Sequence, residues 1–238
     1  SEIPNRRSRG RDAKSMCSEK EIADFQSAVG DLHWVTSQTR PDHAVDTSRF
    51  QKRQKTPTYS DLTDLGKVIS EVKATASQAL RIVPISDPVV GAWTDSALYG
   101  AQGELVDCDE DLKGYDKHKI FSQRGALIAL IDSGDLENIS DVSVSIMDWK
   151  TRASKRVFHA TFAAEGQAAV ETYGIADFFR AFWCDVLYGA NRDFDVLDFG
   201  EDQMQIKLFT DAKSLFDHVK KDGAVPEDKN VAIAMASL

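Results

Sequence analysis

Two kinds of hydrophobic periodicity divide the chain at about residue 79. Before that point apolar residues recur every three or four positions, which is the spacing of amphipathic helices. Beyond it, short alternating or continuous apolar runs are typical of strands. We therefore predict a helical subdomain over 17–78 and an α/β domain over 79–238, in which helices flank a mixed sheet. Residues 1–16 are expected to be a disordered basic arm.

Three helices are predicted in the first part of the chain. The first begins at Ser18, because Ser18 and Glu21 have the spacing of a capping box. Trp34 falls within the apolar run of this helix and is expected in the core. Pro41 marks the first turn of the second helix. The third helix is expected to be capped by Ser60.

The second part of the chain is predicted to be strands first, then helices around a further strand. Short connections between the early strands indicate an antiparallel meander. The longest helix is predicted over 160–189, followed by a strand over 204–209 and a helix over 212–221. The strand-like stretches before the long helix are 79–85, 89–96, 124–135 and 142–149.

An aspartate follows an apolar run twice in the α/β part, in "VVGAWTDS" at Asp95 and in "KLFTDAKS" at Asp211. If the two strands are neighbours, the carboxylates meet at one edge of the sheet. Carboxylates brought so close repel each other unless a cation neutralises them, and Mg²⁺ suits such a site of hard oxygen ligands. Glu165, near the start of the long helix, is a third candidate because small neighbouring residues would let that helix approach the sheet.

Each of these acids taken alone has a simpler explanation. Asp211 stands where an aspartate commonly caps a helix, and Asp95 suits a turn. A glutamate on a helix, such as Glu165, is usually solvated. The ordered set of Asp, Glu and Asp on strand, helix and strand is the more specific signal.

Four strings of the chain resemble copia-type LTR retrotransposon Pol polyproteins, in the order and spacing of that family. "AVGDLHWVTSQTRPDHAVDTSRFQKRQKTPTYSDL" is similar to the segment after the polymerase palm. The strings "WTDSALYGA", "MDWKTRASKRVFHATFAAEGQA" and "LFTDAKSLFD" resemble the first three motifs of the family's ribonuclease H domain. The resemblance covers about 18–238.

This resemblance implies a ribonuclease H-like fold and a hydrolase, a nuclease that cuts the RNA strand of RNA–DNA hybrids during reverse transcription. It implies that two Mg²⁺ or Mn²⁺ ions lie about 3.5–4 Å apart at the catalytic and metal-binding acids Asp95, Glu165 and Asp211. It further implies contacts to the nucleic-acid backbone from Ser96, Lys155, Arg156 and Thr161.

The chain departs from the family pattern in ways that leave its activity open. Ala234 stands where the family has a fourth acid, so the second metal site is expected to be weakened. We expect the family's final strand to be absent, and the polymerase palm is not in this sequence, so the chain is expected to be a piece of a longer polyprotein or a reused one. The alternative function is therefore a domesticated, inactive module, a structural or binding subunit of a larger assembly with protein partners.

Charge and cysteine content bear on nucleic-acid binding and on the cellular compartment. The formal net charge is −9, divided into +3 over 1–82 and −12 over 83–238. An acidic surface repels phosphate backbones unless bound cations reverse the local charge. The three cysteines are far apart and show no zinc spacing, which favours a reducing intracellular compartment, cytoplasm or nucleus. No apolar run is long enough to predict a membrane span.

Overall fold

The chain forms two compact units, with the boundary between Leu80 and Arg81. Each unit has its own hydrophobic core. In the computed structural model, which carries side chains, the described residues are 12–99, 105–106, 121–137, 142–154, 161–189 and 204–220. None of the helices described within these ranges is long and apolar enough to cross a membrane.

Within its described residues, 12–80, the first unit contains three α-helices: α1 (Glu19–Gln38), α2 (Ala44–Arg53) and α3 (Tyr59–Ala74), with a 3-10 turn (Pro41–His43) before α2. Their apolar faces meet around Phe25, whose ring lies edge-on to that of Phe50 at a centroid distance of 6.1 Å. The core also includes Ala28, Val29, Leu32, Leu62 and Leu65. The periodicity therefore predicted all three helices.

The capping residues of the first unit were predicted correctly in one case of two. Ser18 caps α1, and Glu21 returns a hydrogen bond to the Ser18 backbone, which confirms the capping box. The prediction that Ser60 caps α3 is wrong. Thr58 caps that helix instead, because its hydroxyl accepts from the Asp61 N–H while the Asp61 carboxylate accepts from the Thr58 backbone.

Trp34 is also not where the sequence placed it. Its side chain is 70% exposed, so the prediction that it belongs to the core is wrong. The buried face of α1 runs through Phe25, Val29 and Leu32. Trp34 is nine residues after Phe25, and at about 100° per residue this places it on the opposite side of the helix.

Residues 12–16, within the predicted basic arm, belong to the first unit. Met16 forms an antiparallel bridge with Thr58. The Ser15 carbonyl accepts a hydrogen bond from the Tyr59 N–H at 3.0 Å. The remainder of the predicted arm, 1–11, lies outside the described residues.

The second unit is α/β, with a mixed five-stranded sheet. Three long strands form the antiparallel meander that the sequence predicted: β1 (Pro88–Tyr99), β3 (Phe121–Asp132) and β4 (Val144–Ala153). The two-residue β2 (Leu105–Val106) pairs antiparallel with the end of β1. β5 (Ile206–Phe209) pairs with the earlier part of β1 and runs parallel to it. β1 therefore lies inside the sheet, between β3 and β5.

The long helix α4 covers one face of this sheet around a shared core. α4 (Thr161–Tyr188) contributes Ala176 and Cys184, which pack with Val90 and Ala92 of β1 and with Ile128 of β3. α5 (Lys213–Val219) follows β5, and the 3-10 turn Ser133–Glu137 follows β3. The long helix and the strand after it thus lie where the pattern predicted them.

The strand predicted over 79–85 is not formed. In place of a ladder, both backbone groups of Val83 bond to the Ser145 hydroxyl, which accepts from the N–H at 2.9 Å and donates to the carbonyl at 3.0 Å. Ile85 still packs against the core of the second unit. The apolar composition of this stretch therefore indicates neither a strand nor full burial: Ile82 is 74% exposed, and Val83 and Ile85 are only partly buried.

Candidate metal centre

The parallel pairing of β1 with β5 brings the two aspartates together. Trp93 stands opposite Phe209 in the ladder, and their rings stack with centroids 4.8 Å apart. Asp95 and Asp211 each follow this stacked pair by two residues. Because the strands run in the same direction, equal offsets bring Asp95, which lies within β1 and not at its end as predicted, to the same level as Asp211, which follows β5.

Asp211 is not the cap of the helix that follows it. The N-cap position of α5 is Ala212, and no side chain caps that helix. The turn is held instead by Thr210, whose hydroxyl accepts a hydrogen bond from the Ala212 N–H at 3.1 Å. The simpler explanation of Asp211 therefore does not apply, and its carboxylate is left exposed beside Asp95.

Glu165 reaches the two aspartates from the second turn of α4. Ala164 and Ala168 beside it are fully buried, so this end of the helix lies close against the sheet. The backbone N–H of Ser96, the residue after Asp95, donates a hydrogen bond to the Glu165 carboxyl group. One carboxylate oxygen from each of Asp95, Glu165 and Asp211 lies within 4.8 Å of the others.

The electrostatics of this carboxylate triad, defined as Asp95, Glu165 and Asp211, are unfavourable without a cation. Burial, followed by the charges of Asp95 and then Asp211, raises the pKa of Glu165 to about 8. The Ser96 N–H bond acts in the opposite direction but does not outweigh them. Folding thus holds a proton on Glu165 at neutral pH, where a glutamate in water would be ionised.

The triad fits a divalent cation by its donor set and by one unsatisfied atom. It offers carboxylate oxygens only, the ligands that Mg²⁺ and Mn²⁺ take in proteins. The Oε2 atom of Glu165 is buried and has no hydrogen-bond partner among the described residues. A buried carboxylate oxygen without a partner is costly, and a bound cation would satisfy it.

A second charged group fastens α4 to the sheet beside the triad. Glu171, on α4, is bound by the guanidinium groups of Arg124 on β3 and Arg152 on β4, the latter at 2.8 Å. Burial tends to raise the pKa of Glu171, but the Arg152 hydrogen bond and the Arg124 charge outweigh it and hold the pKa below its ordinary value. The sequence analysis missed this group, although alternation along β3 places Arg124 on the same face as Ile128 of the core.

The residues predicted to contact nucleic acid are only partly described. The Ser96 hydroxyl lies 2.9 Å from the hydroxyl of Ser122, which is fully buried, so this side chain is directed into the protein. Thr161 is the first residue of α4, one turn before Glu165. Lys155, Arg156 and Ala234 lie outside the described residues.

Comparison with protein-family models and with curated proteins finds no match to this chain.

Proposed function

We propose that the second unit is a ribonuclease H-like domain from a copia-type retrotransposon Pol polyprotein, and that it hydrolyses the RNA strand of RNA–DNA hybrids with Mg²⁺ or Mn²⁺. The observation that carries this proposal is the convergence of Asp95, Glu165 and Asp211 within 4.8 Å. The order in which β1, α4 and β5 supply these acids is the order that the motif resemblance implies.

The sheet supports the same proposal. A three-strand antiparallel meander is followed by a helix, and then by a strand parallel to the first. This is the arrangement expected of a ribonuclease H-like fold. It is also what lets two strand aspartates and one helix glutamate meet, so the fold and the site support each other.

The reaction would be a phosphodiester hydrolysis. The oxygen of water would form a bond to phosphorus while the bond from phosphorus to the 3′ oxygen breaks, and the proton lost by water balances the one that the 3′ oxygen gains. A divalent ion bound at the triad would supply charge neutralisation and a more acidic water.

The three acids of the triad would have different roles in this reaction. Asp95 and Asp211 are exposed and can face both the ion and a phosphate, whereas Glu165 is half-buried and held by the Ser96 N–H. We infer that Glu165 supplies the inner ligand and must lose its proton for the ion to bind. Alanine at 234 offers no ligand, so a second ion would have fewer protein contacts.

The test is hybrid cleavage by the purified chain. A labelled RNA–DNA hybrid is incubated with Mg²⁺ and, separately, with Mn²⁺, beside an Asp95→Asn variant and beside the same RNA in single-stranded form. Cleavage confined to the hybrid and abolished in Asp95→Asn is the expected result. Absence of cleavage with both metals would refute the enzymatic proposal for this chain, and cleavage that survives in Asp95→Asn would reveal a contaminant.

A second candidate is an inactive module that keeps the ion site but serves as a structural or binding subunit of a larger assembly. The observations that favour it are Ala234 in place of the fourth acid and the balance of −12 over 83–238. This candidate predicts that Mn²⁺ binds and that Asp95→Asn weakens the binding, while the hybrid stays uncut.

A further inference from the structure

Gly125 lies in the interior of β3, directly opposite Asp95 in the ladder. A glycine inside a strand weakens it, because glycine loses more conformational entropy than other residues and contributes no side chain to packing. Such a glycine in a strand often marks a bulge or a place where another backbone or a ligand comes close. Its presence in a 12-residue strand therefore needs a local reason.

The fold does not supply that reason. Among the described residues, the glycine with a positive φ is Gly189, so the backbone at Gly125 is open to any residue type. The register shift between β3 and β4 falls at Ile128 and Ala129, not at Gly125. A Cβ atom added at Gly125 would meet no atom of the described part of the chain within 4 Å.

Gly91, on the neighbouring strand, shows the contrast. A Cβ atom there would lie 2.4 Å from Cδ1 of Ile131 and 2.8 Å from the Trp93 ring, so a side chain at this position would force both neighbours to move. Packing around Gly91 therefore favours glycine. Gly125 instead leaves a space that no described residue fills.

This space adjoins the metal centre. Directly paired residues of an antiparallel ladder point to the same face, with Cβ atoms about 4.5–5.5 Å apart. A side chain at 125 would therefore stand next to the Asp95 carboxylate. On the far side, Gly125 pairs with Thr151 of β4, whose hydroxyl accepts a hydrogen bond from Nε2 of Gln123 at 2.7 Å.

We propose that the strand to be cut passes over Gly125, with its sugar–phosphate backbone in the space beside Asp95. This inference rests on the proposed function. A polymeric substrate that presents one phosphate to the triad must continue past it, and it needs clearance on the sheet as well as ligands at the edge. Gly125 provides that clearance, which makes it a determinant of access for a polymer and not a ligand of the ion.

Adding a side chain at 125 tests this directly. Gly125→Ala and Gly125→Val fit a strand, and valine is a favoured strand residue. The matched control is Gly174→Ala, because Gly174 is an exposed glycine of α4 that also has no atom within 4 Å of an added Cβ. It lies nine residues beyond Glu165, about 13.5 Å along the helix axis.

Three quantities are measured on the full chain: kcat/KM for a labelled RNA–DNA hybrid with Mg²⁺, the Kd of Mn²⁺ by calorimetry, and the melting temperature. Gly125→Val should lower kcat/KM by about 100-fold, as expected when a substrate is displaced by an ångström or more. Gly125→Ala should lower it less. In both variants the Kd of Mn²⁺ should stay within about twofold and the melting temperature should not fall, and Gly174→Ala should leave kcat/KM unchanged.

The outcomes separate this inference from the proposed function. If the unchanged protein cuts the hybrid and Gly125→Val cuts it equally well, the clearance at Gly125 is refuted while the function stands. If Gly125→Val loses Mn²⁺ binding together with cleavage, the residue acts on the metal centre and the inference is again wrong. If the unchanged protein neither binds nor cuts the hybrid, the proposed function fails without reference to any variant, and this inference falls with it.

Discussion

Binding of a divalent ion at the triad is expected to release a proton at neutral pH. Burial and the charges of Asp95 and Asp211 raise the pKa of Glu165 to about 8. A cation binds the ionised carboxylate, so it must displace the proton that Glu165 holds. The proton on Glu165 is therefore the one that this prediction follows.

The size of the effect follows from the pKa. At pH 7 a carboxyl group with a pKa of about 8 is about nine-tenths protonated, so one ion should release roughly 0.9 proton. At pH 9 the same group is about one-tenth protonated, and the release should fall to roughly 0.1 proton. The apparent affinity should accordingly rise about tenfold from pH 6 to pH 7 and level off above pH 8 to 9.

Calorimetry of Mn²⁺ binding measures this release. At pH 7, the dependence of the observed enthalpy on the ionisation enthalpy of the buffer gives the number of protons exchanged. Glu165→Gln should bind Mn²⁺ more weakly and without proton release. Asp211→Asn should release less, because it removes one of the charges that raise the pKa. An observed enthalpy independent of the buffer, or the same release in Glu165→Gln, would refute the assignment of this proton to Glu165.

Three further predictions concern stability. The folded-state pKa of Glu165 lies above its unfolded value, so its proton stabilises the metal-free fold. This contribution is complete below about pH 4.5 and is lost as the pH rises through about 8. The melting temperature of Glu165→Gln should therefore change less between pH 6 and pH 9 than that of the unchanged protein. Thr58→Ala should cost about 1 kcal/mol in urea unfolding and Ser60→Ala about zero, and equal losses would contradict Thr58 as the cap of α3. Arg124→Met should cost about 3 kcal/mol and raise the pKa of Glu171, and a loss under about 1 kcal/mol would show that Arg124 does not fasten α4.

The helices of the first unit could be predicted because their signals are local. The apolar spacing of α1 and the Ser18–Glu21 pair depend only on residues within one or two turns. The cap of α3 was missed although it is equally local. Thr58 and Asp61 have the spacing of a capping box, but with aspartate in place of the usual glutamate, and the residue three positions after Ser60 is Thr63, which cannot complete such a box.

Strand pairing is harder to predict from the sequence than these helices are. The stretch 79–85 has strand-like composition, yet Val83 bonds to the side chain of Ser145, 62 residues away. Apolar composition alone therefore shows neither that this segment forms a strand nor which backbone it lies beside. The strands that were predicted correctly, β1, β3 and β4, are long enough for alternation and turn residues to specify them.

Part of the metal centre could likewise be predicted from the sequence, and part could not. Two aspartates after apolar runs and Glu165 among small residues of the long helix could be recognised in the sequence, and the motif resemblance joined them into one set. The Arg124–Glu171 pair and the opposition of Gly125 to Asp95 depend on the register of β3 against its neighbours. A shift of one residue would move every side chain of that strand to the other face, and sequence alone does not fix this register.

The triad is better explained by a cation than by any role in folding. Asp211 does not cap α5, and Glu165 has an unsatisfied buried oxygen among the described residues. Close, unpaired carboxylates oppose folding, so a chain that needed only this fold would be more stable without them. Metal binding alone does not distinguish a nuclease from an inactive module, because both would keep the ion. The distinction depends on cleavage: an ion held by Asp95, Glu165 and Asp211 in a chain that never cuts a hybrid would favour the inactive module.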